Sequence, residues 1–235
     1  MKYIQKQPEP ESLRKWREGQ LALGSNCYFK ALDREVKRVV YQALWDDQGW
    51  ICCYCCQGIA DQSSHIEHFE PQSNTKDSQG NNPLSVTYSN LLASCGPLPT
   101  DPNDPKQARR FPPHCGDYRG KKPIPVSPLD PACESYFVYN ISNGKIEANS
   151  KNDKQKQQEA NQTIDILNLN DADLTRTRLD ALDAALIEID LQDPQDAAAL
   201  LAASSQKQLD GDGNARFSPF CVMIAYYLRT EFSLA

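Results

Sequence analysis

The sequence predicts an α+β fold. Three observations point there: helical apolar spacing near both ends, a middle in which short apolar pieces alternate with turn-rich loops, and a hairpin signal between them. The chain has 235 residues, enough for one large domain or two small ones and ample for a core without staples.

Taken in order, Pro8 and Pro10 keep the first ten residues out of a helix, and Glu11–Glu18 fits one short helix. From Asn26 to Trp45 the apolar residues Phe29, Leu32, Val36, Val39, Val40, Ala43 and Leu44 fall at helical spacing. Lys30, Arg34, Lys37 and Arg38 take the other face, ordinarily a solvated one. Residues 96–113 hold six of the sixteen prolines and cannot stay regular for long. Tyr136–Asn149 reads as a hairpin turning at Asn143-Gly144. Residues 150–162 are polar, a helix start or a linker. Asn170 is the expected N-cap of a helix carrying Leu182, Ala185, Leu186 and Ile189. Ala197–Ala203 and Pro219–Phe232 are the expected last helices. The second of these presents Phe220, Ile224, Tyr226, Tyr227 and Leu228, either to a partner or to the core.

Composition excludes several classes. Hydrophobic residues are 40% and charged residues 24%, with a mean hydropathy of -0.63. No apolar run reaches about 18 residues, so no membrane span is expected. The opening MKYIQKQPEP lacks the apolar stretch of a secretory signal, which leads to the expectation of a cytoplasmic protein. Nine cysteines, an odd count, then need an explanation other than disulfides. The net charge of -6 is unevenly spread. Residues 1–122 carry 16 Lys+Arg and 14 Asp+Glu, a balance of +2, which leaves 9 and 17, a balance of -8, for residues 123–235. Lys106, Arg109, Arg110, Arg119, Lys121 and Lys122 form a local basic cluster suited to phosphates.

Six cysteines and all three histidines lie between residues 50 and 122. Cys52-Cys53-Tyr54-Cys55-Cys56 holds two overlapping C-x-x-C pairs, and two thiolates at that spacing on a tight knuckle hold one edge of a tetrahedral zinc site. Cys95 and Cys115 supply the other edge. Both knuckle pairs fit; Cys52 and Cys55 are preferred because Tyr54 then lies inside the knuckle. A redox use of C-x-x-C wants a βαβ context, which is absent. Cys27, Cys133 and Cys221 stand alone and read as core residues. In His65-Ile66-Glu67-His68, an extended chain turns Ile66 to the core and His65 and Glu67 to a site. A histidine is the natural general base near neutral pH, and a carboxylate beside it holds a hard cation. Asn90 can orient such a histidine. DGDGN at 210–214 is not a calcium loop, because Ala215 stands where glycine is required and Cys221 where glutamate is.

The order C-x-Y-C at 52–55, E-H-F-x-P at 67–71, N-L-x-x-x-C at 90–95, then Cys115 followed by Arg119-Gly120, resembles the HNH nucleases of ββα-metal fold. The resemblance implies a zinc-stapled ββα-metal core over 50–125, a helical segment over 1–49, and a hairpin plus helical region over 126–235. It implies His68 as general base, Glu67 as ligand of a catalytic Mg²⁺ or Mn²⁺, and Asn90 as the residue that positions the base. Cys52, Cys55, Cys95 and Cys115 become ligands of a structural Zn²⁺. Family members commonly close the second pair as C-x-x-C followed by Asn. Here nineteen residues separate Cys95 from Cys115, and Gly116 stands in place of that Asn. Asp117, His114 and His65 are the replacement candidates. The opening MKYIQKQPEPESLRKW, SHIEHFEPQS and TIDILNLN further resemble the HNH subunit of Septu-type anti-phage systems and related retron-associated effectors. That likeness implies hydrolysis of nucleic acid, DNA before RNA, and an ABC/SMC-like ATPase partner. The rival expectation is a non-catalytic zinc module, which has no need of Glu67, His68 and Asn90 together.

Overall fold

The computed structural model describes residues 1–23, 29–60, 63–73, 82–96, 114–187, 189 and 193–233. Asn26, Cys27, Lys106, Arg109, Arg110 and nearly all of the proline-rich stretch lie outside the described residues. Within them the fold mixes helices with small two-stranded sheets, and one apolar cluster runs from Met1 to Leu228. Among the described residues, no helix is long and apolar enough to cross a membrane.

The first ten residues are extended and act as a tie. The Ile4 amide donates to the Pro128 carbonyl at 2.8 Å, and the Tyr3 amide to Glu134 at 3.1 Å. Lys6 reaches the Leu91 carbonyl at 3.1 Å and pairs with buried Asp47 at 3.1 Å. Helix α1 (Glu11–Ala22) starts where Pro10 releases the chain and runs one turn beyond the expected end, burying Leu13 and Trp16. Helix α2 (Arg34–Gln48) begins later than its periodicity suggests. A short 3₁₀ turn (Phe29–Ala31) precedes it, Asp33 sits at its N-cap position, and Gly49 closes it at φ 61°. Leu32, Val40 and Leu44 face the core as expected, whereas Val39 falls off the stripe and is exposed.

Strands β1 (Ser64–His68) and β2 (Leu91–Cys95) pair antiparallel, with Glu67 opposite Leu92 and Ile66 opposite Ala93. Strand β2 is buried along its whole length. Gln48 fastens α2 to it, donating to the Ala93 carbonyl at 2.8 Å and accepting from the Ala93 amide at 2.7 Å. Among the described residues the next helix after β2 is the five-residue α3 (Cys115–Arg119).

The hairpin β3 (Phe137–Asn140) and β4 (Lys145–Ala148) forms as expected, but its loop has four residues rather than two, with Asn140 opposite Lys145 and Gly144 at φ 69°. Helices α4 (Lys154–Leu167), α5 (Ala172–Ile187), α6 (Pro194–Ser205) and α7 (Cys221–Glu231) follow. Asn170 does not cap α5. Asp171 does, its carboxylate accepting from the Asp173 and Leu174 amides, while Asn170 bonds both backbone groups of Ile146 on β4. A short amide is as well suited to bridging an edge strand as to capping a helix, and here the strand takes it. Strands β5 (Gln208–Leu209) and β6 (Ala215–Arg216) enclose the DGDGN loop. On α7 the structure decides between the two readings for Phe220, Ile224 and Leu228: all are buried and close the core. Tyr226 packs on Tyr139 at 5.8 Å between ring centroids.

Candidate active site and metal centre

The knuckle at 52–56 is a tight turn in which the Cys56 amide donates to the Cys52 carbonyl at 3.1 Å and the Cys52 amide to the Gln57 carbonyl at 2.8 Å. It aims Cys52 and Cys55 at the end of β2. The sulfurs of Cys52, Cys55, Cys95 and Cys115 are buried and all lie within 4.8 Å of one another. A tetrahedral site with metal–sulfur bonds of about 2.3 Å sets its sulfurs about 3.8 Å apart. The Cys55–Cys95 separation is 3.7 Å, close to that value and far beyond a disulfide bond. Burial opposes a charge on Cys52, yet the Cys115, Cys53, Cys55 and Cys95 thiols beside it bring it well below its ordinary range. Burial pushes Cys115 up, and its bond to Cys52 adds to that. Four thiols so close cannot all ionise unaided; a bound cation would let them. The donor set thus fits a structural metal such as zinc. Of the other pair, Cys56 packs with Ile51 and Cys221 in a small apolar cluster, and Cys53, though beside Cys52, is not one of the four clustered sulfurs.

Helix α3 starts on that cluster, its first residue Cys115 in the left-handed region at φ 58°. His114, one step before, places Nδ1 3.2 Å from the Cys115 sulfur and 3.7 Å from Cys95. It therefore stands beside the thiols rather than with the other histidines.

Strand alternation puts His65 and Glu67 on one face of β1, towards α3, and His68 on the other. His65 Nε2 lies 3.6 Å from Glu67 Oε2. Both meet over Gly116, where a Cβ would sit 2.6 Å from His65 Nε2 and 2.9 Å from Glu67 Oε2. Only a residue without a side chain leaves room for the two to converge. Burial works against charge on His65, but the Glu67 and then the Asp117 carboxylates outweigh it and raise its pKa. Asp117 itself is exposed on the first turn of α3. The other Glu67 oxygen is spoken for. Oε1 accepts from Arg119 Nη1 at 2.7 Å and from the Tyr54 hydroxyl at 3.1 Å. This overturns the expectation that Arg119 contacts phosphate: it is 1% exposed and turned inward.

On the opposite face, His68 is buried, with Nε2 3.0 Å from the Ser85 carbonyl and the Phe29 ring edge-on at 5.0 Å. A carbonyl can only accept, so Nε2 carries the proton and Nδ1 keeps its lone pair; the Gln72 amide nitrogen lies 3.2 Å from each ring nitrogen. Burial holds the His68 pKa below its ordinary value. Asn90 does not touch the imidazole. Its Oδ1 accepts from the Glu70 amide at 2.7 Å, and its Nδ2 donates to the Glu70 and Leu84 carbonyls at 3.2 and 3.0 Å. It pins the backbone two residues beyond His68. Lys121 and Lys122 are exposed at the end of α3, and Lys37 of α2 lies 5.2 Å above the Phe29 ring that abuts His68.

Sequence reasoning missed Tyr54 as a partner of Glu67, Ser85 and Gln72 as partners of His68, and Gly116 as the seat of His65 and Glu67. For Gly116 a signal existed, because a glycine beside a ligand cysteine implies a close approach. Ser85 and Gln72 carry no pattern of their own.

These features define an α+β protein in which a buried four-cysteine cluster that could hold a metal ion abuts a histidine–carboxylate pair. No protein-family model matches the chain. A relative is the protein named "Retron Vc95 putative HNH endonuclease" from Vibrio cholerae serotype O1 biovar El Tor, 29% identical over 135 residues. The match takes in 57% of this chain and 59% of the relative.

Proposed function

We propose that the chain is an HNH-type endonuclease that hydrolyses phosphodiester bonds, in DNA before RNA, with a divalent cation. The observation that carries this is the end of β1, where one strand presents a neutral, proton-accepting His68 on one face and a His65–Glu67 pair on the other. The likeness to a relative named as an HNH endonuclease supports it. His68 Nδ1 takes the proton of a water as that oxygen attacks phosphorus, and the sugar oxygen leaves. Ser85 fixes the tautomer that permits this, and Asn90 fixes the strand end that carries it. Glu67 Oε2 and His65 Nε2, converging over Gly116, would hold the cation, which when bound stabilises charge on the phosphate and leaving oxygen. A mixed imidazole–carboxylate pair suits Mn²⁺ better than Mg²⁺. The four cysteines would hold Zn²⁺. Lys121, Lys122 and the basic face of α2 would meet the phosphate backbone. Service as the effector of an anti-phage complex, with an ABC/SMC-like ATPase docked on the acidic half, extends the same reading.

The test is nicking of supercoiled plasmid and of single-stranded RNA by purified protein with Mg²⁺ or Mn²⁺, with and without the ATPase. His68→Ala should lower cleavage roughly 10²–10⁴-fold, the contribution of a positioned base, while the cysteine-bound metal and melting temperature stay unchanged. Equal cutting by wild type and His68→Ala refutes the assignment. A metal-loaded protein that binds nucleic acid and never cuts it supports the non-catalytic module instead.

A further inference from the structure

Tyr54 sits between the two knuckle cysteines, and its hydroxyl is fully buried beside Glu67. Arg119 sits at the other end of α3 from Cys115 and is also buried. The two meet: Arg119 Nη1 donates to the Tyr54 oxygen at 2.7 Å and to Glu67 Oε1 at 2.7 Å. The Tyr54 hydroxyl in turn donates to Glu67 Oε1. The remaining Arg119 donors go to backbone, Nε to the Lys122 carbonyl at 2.7 Å and Nη2 to the Phe69 carbonyl. The guanidinium thus joins both ends of its own turn to the end of β1.

We infer that Tyr54 and Arg119 are positioning residues that hold Glu67 by Oε1 alone, leave Oε2 turned to His65, and tie that carboxylate to the four-cysteine cluster. The inference rests on the proposed role of Glu67 as a cation ligand. Its chemistry follows from the bonds. A carboxylate with both oxygens engaged by arginine would be a closed ion pair and a poor ligand. Here the fork is split between one carboxylate oxygen, a phenol and three carbonyls, those of Lys122, Phe69 and, more distantly, His68, so one carboxylate oxygen is left for another use. Each anchor also belongs to the cluster's framework, Tyr54 through its knuckle and Arg119 through the helix that Cys115 begins. An ordered cluster therefore sets where Glu67 points. Groups that orient a ligand in this way are typically worth about 10–100-fold in metal affinity or activity.

The test uses the full-length, zinc-loaded chain and its Tyr54→Phe and Arg119→Lys variants. Three quantities are measured: zinc content with melting temperature, Mn²⁺ affinity by calorimetric titration, and the Mn²⁺ concentration for half-maximal nicking. Tyr54→Phe removes one oxygen and keeps the ring, so it serves where loss of the guanidinium unfolds the chain. The expected result is unchanged zinc content with Mn²⁺ affinity weakened about 10-fold or more in each folded variant, and a parallel rise in the Mn²⁺ needed for cleavage. A fall in melting temperature with Mn²⁺ affinity unmoved means a structural role only and overturns the inference, with the nuclease reading intact. A wild-type protein that neither binds Mn²⁺ nor cuts overturns both.

Discussion

Gly116→Ala tests whether the convergence of His65 and Glu67 matters to the chemistry. The added Cβ would stand 2.6 Å from His65 Nε2 and 2.9 Å from Glu67 Oε2, where ordinary contact begins at 3.4 Å. The imidazole must therefore retreat by about 0.8 Å and the carboxylate by about 0.5 Å, taking the shortfall from that same contact distance. The two differ in freedom. His65 is partly exposed and can swing outwards, whereas Glu67 is held through Oε1 by Arg119 and Tyr54. The pair should be driven apart mainly by movement of His65. Overpacking of this size costs about 1–3 kcal/mol, and a displacement approaching 1 Å in a positioned group can lower a rate about 10²-fold. The variant should melt lower, keep its cysteine-bound metal, bind Mn²⁺ weakly and nick plasmid about two orders of magnitude more slowly. Gly19→Ala, in α1 with nothing near its Cβ position, is the control and should do none of this. If Gly116→Ala binds Mn²⁺ and cuts like wild type, the convergence over Gly116 has no part in the reaction.

Two further outcomes follow from the geometry. Cys115→Ser should lose the bound metal and destabilise the fold together, because metal binding and folding are coupled; elemental analysis and a thermal melt read both, and a metal-free variant of unchanged melting temperature would contradict the cluster. Asn90→Ala leaves the Glu70 amide without its acceptor and should cost about 1–3 kcal/mol of stability and slow nicking, yet spare Mn²⁺ affinity, since His65 and Glu67 lie on the other face of β1. A calorimetric titration beside a denaturation curve separates the two effects.

Most helices and the hairpin over 136–149 were legible because their signals are local. The Leu32, Val40 and Leu44 stripe and the Asn-Gly turn need only neighbours to be read. Likewise, C-x-x-C carries its geometry in its spacing, so the knuckle could be placed from spacing alone, whereas Cys95 and Cys115 were assigned with the help of the family resemblance. What escaped depends on long-range contact. Arg119 looks like any basic residue in a basic run until Glu67, fifty-two positions earlier, is seen to consume it. Asn170 is an ideal cap by type, and only the presence of β4 beside it shows why Asp171 caps instead. Choosing Cys52 and Cys55 over Cys53 and Cys56 rested on where Tyr54 would lie, and Tyr54 does lie in that knuckle, although its hydroxyl has a use the spacing never suggested.

The extended first ten residues carry a consequence for the order in which the molecule is assembled. They bond Asp47, Leu91, Pro128 and Glu134, partners up to 131 positions away for a backbone amide. Chain made first during synthesis thus waits for chain made much later, and closing so long a loop is slow relative to forming a helix. Lys6 can meet Asp47 and Leu91 as soon as β2 has emerged, but the Ile4 and Tyr3 amides find their acceptors only once Pro128 and Glu134 have left the ribosome. The start of the tie, at Tyr3 and Ile4, therefore reaches its final packing only after the chain has been made through Glu134.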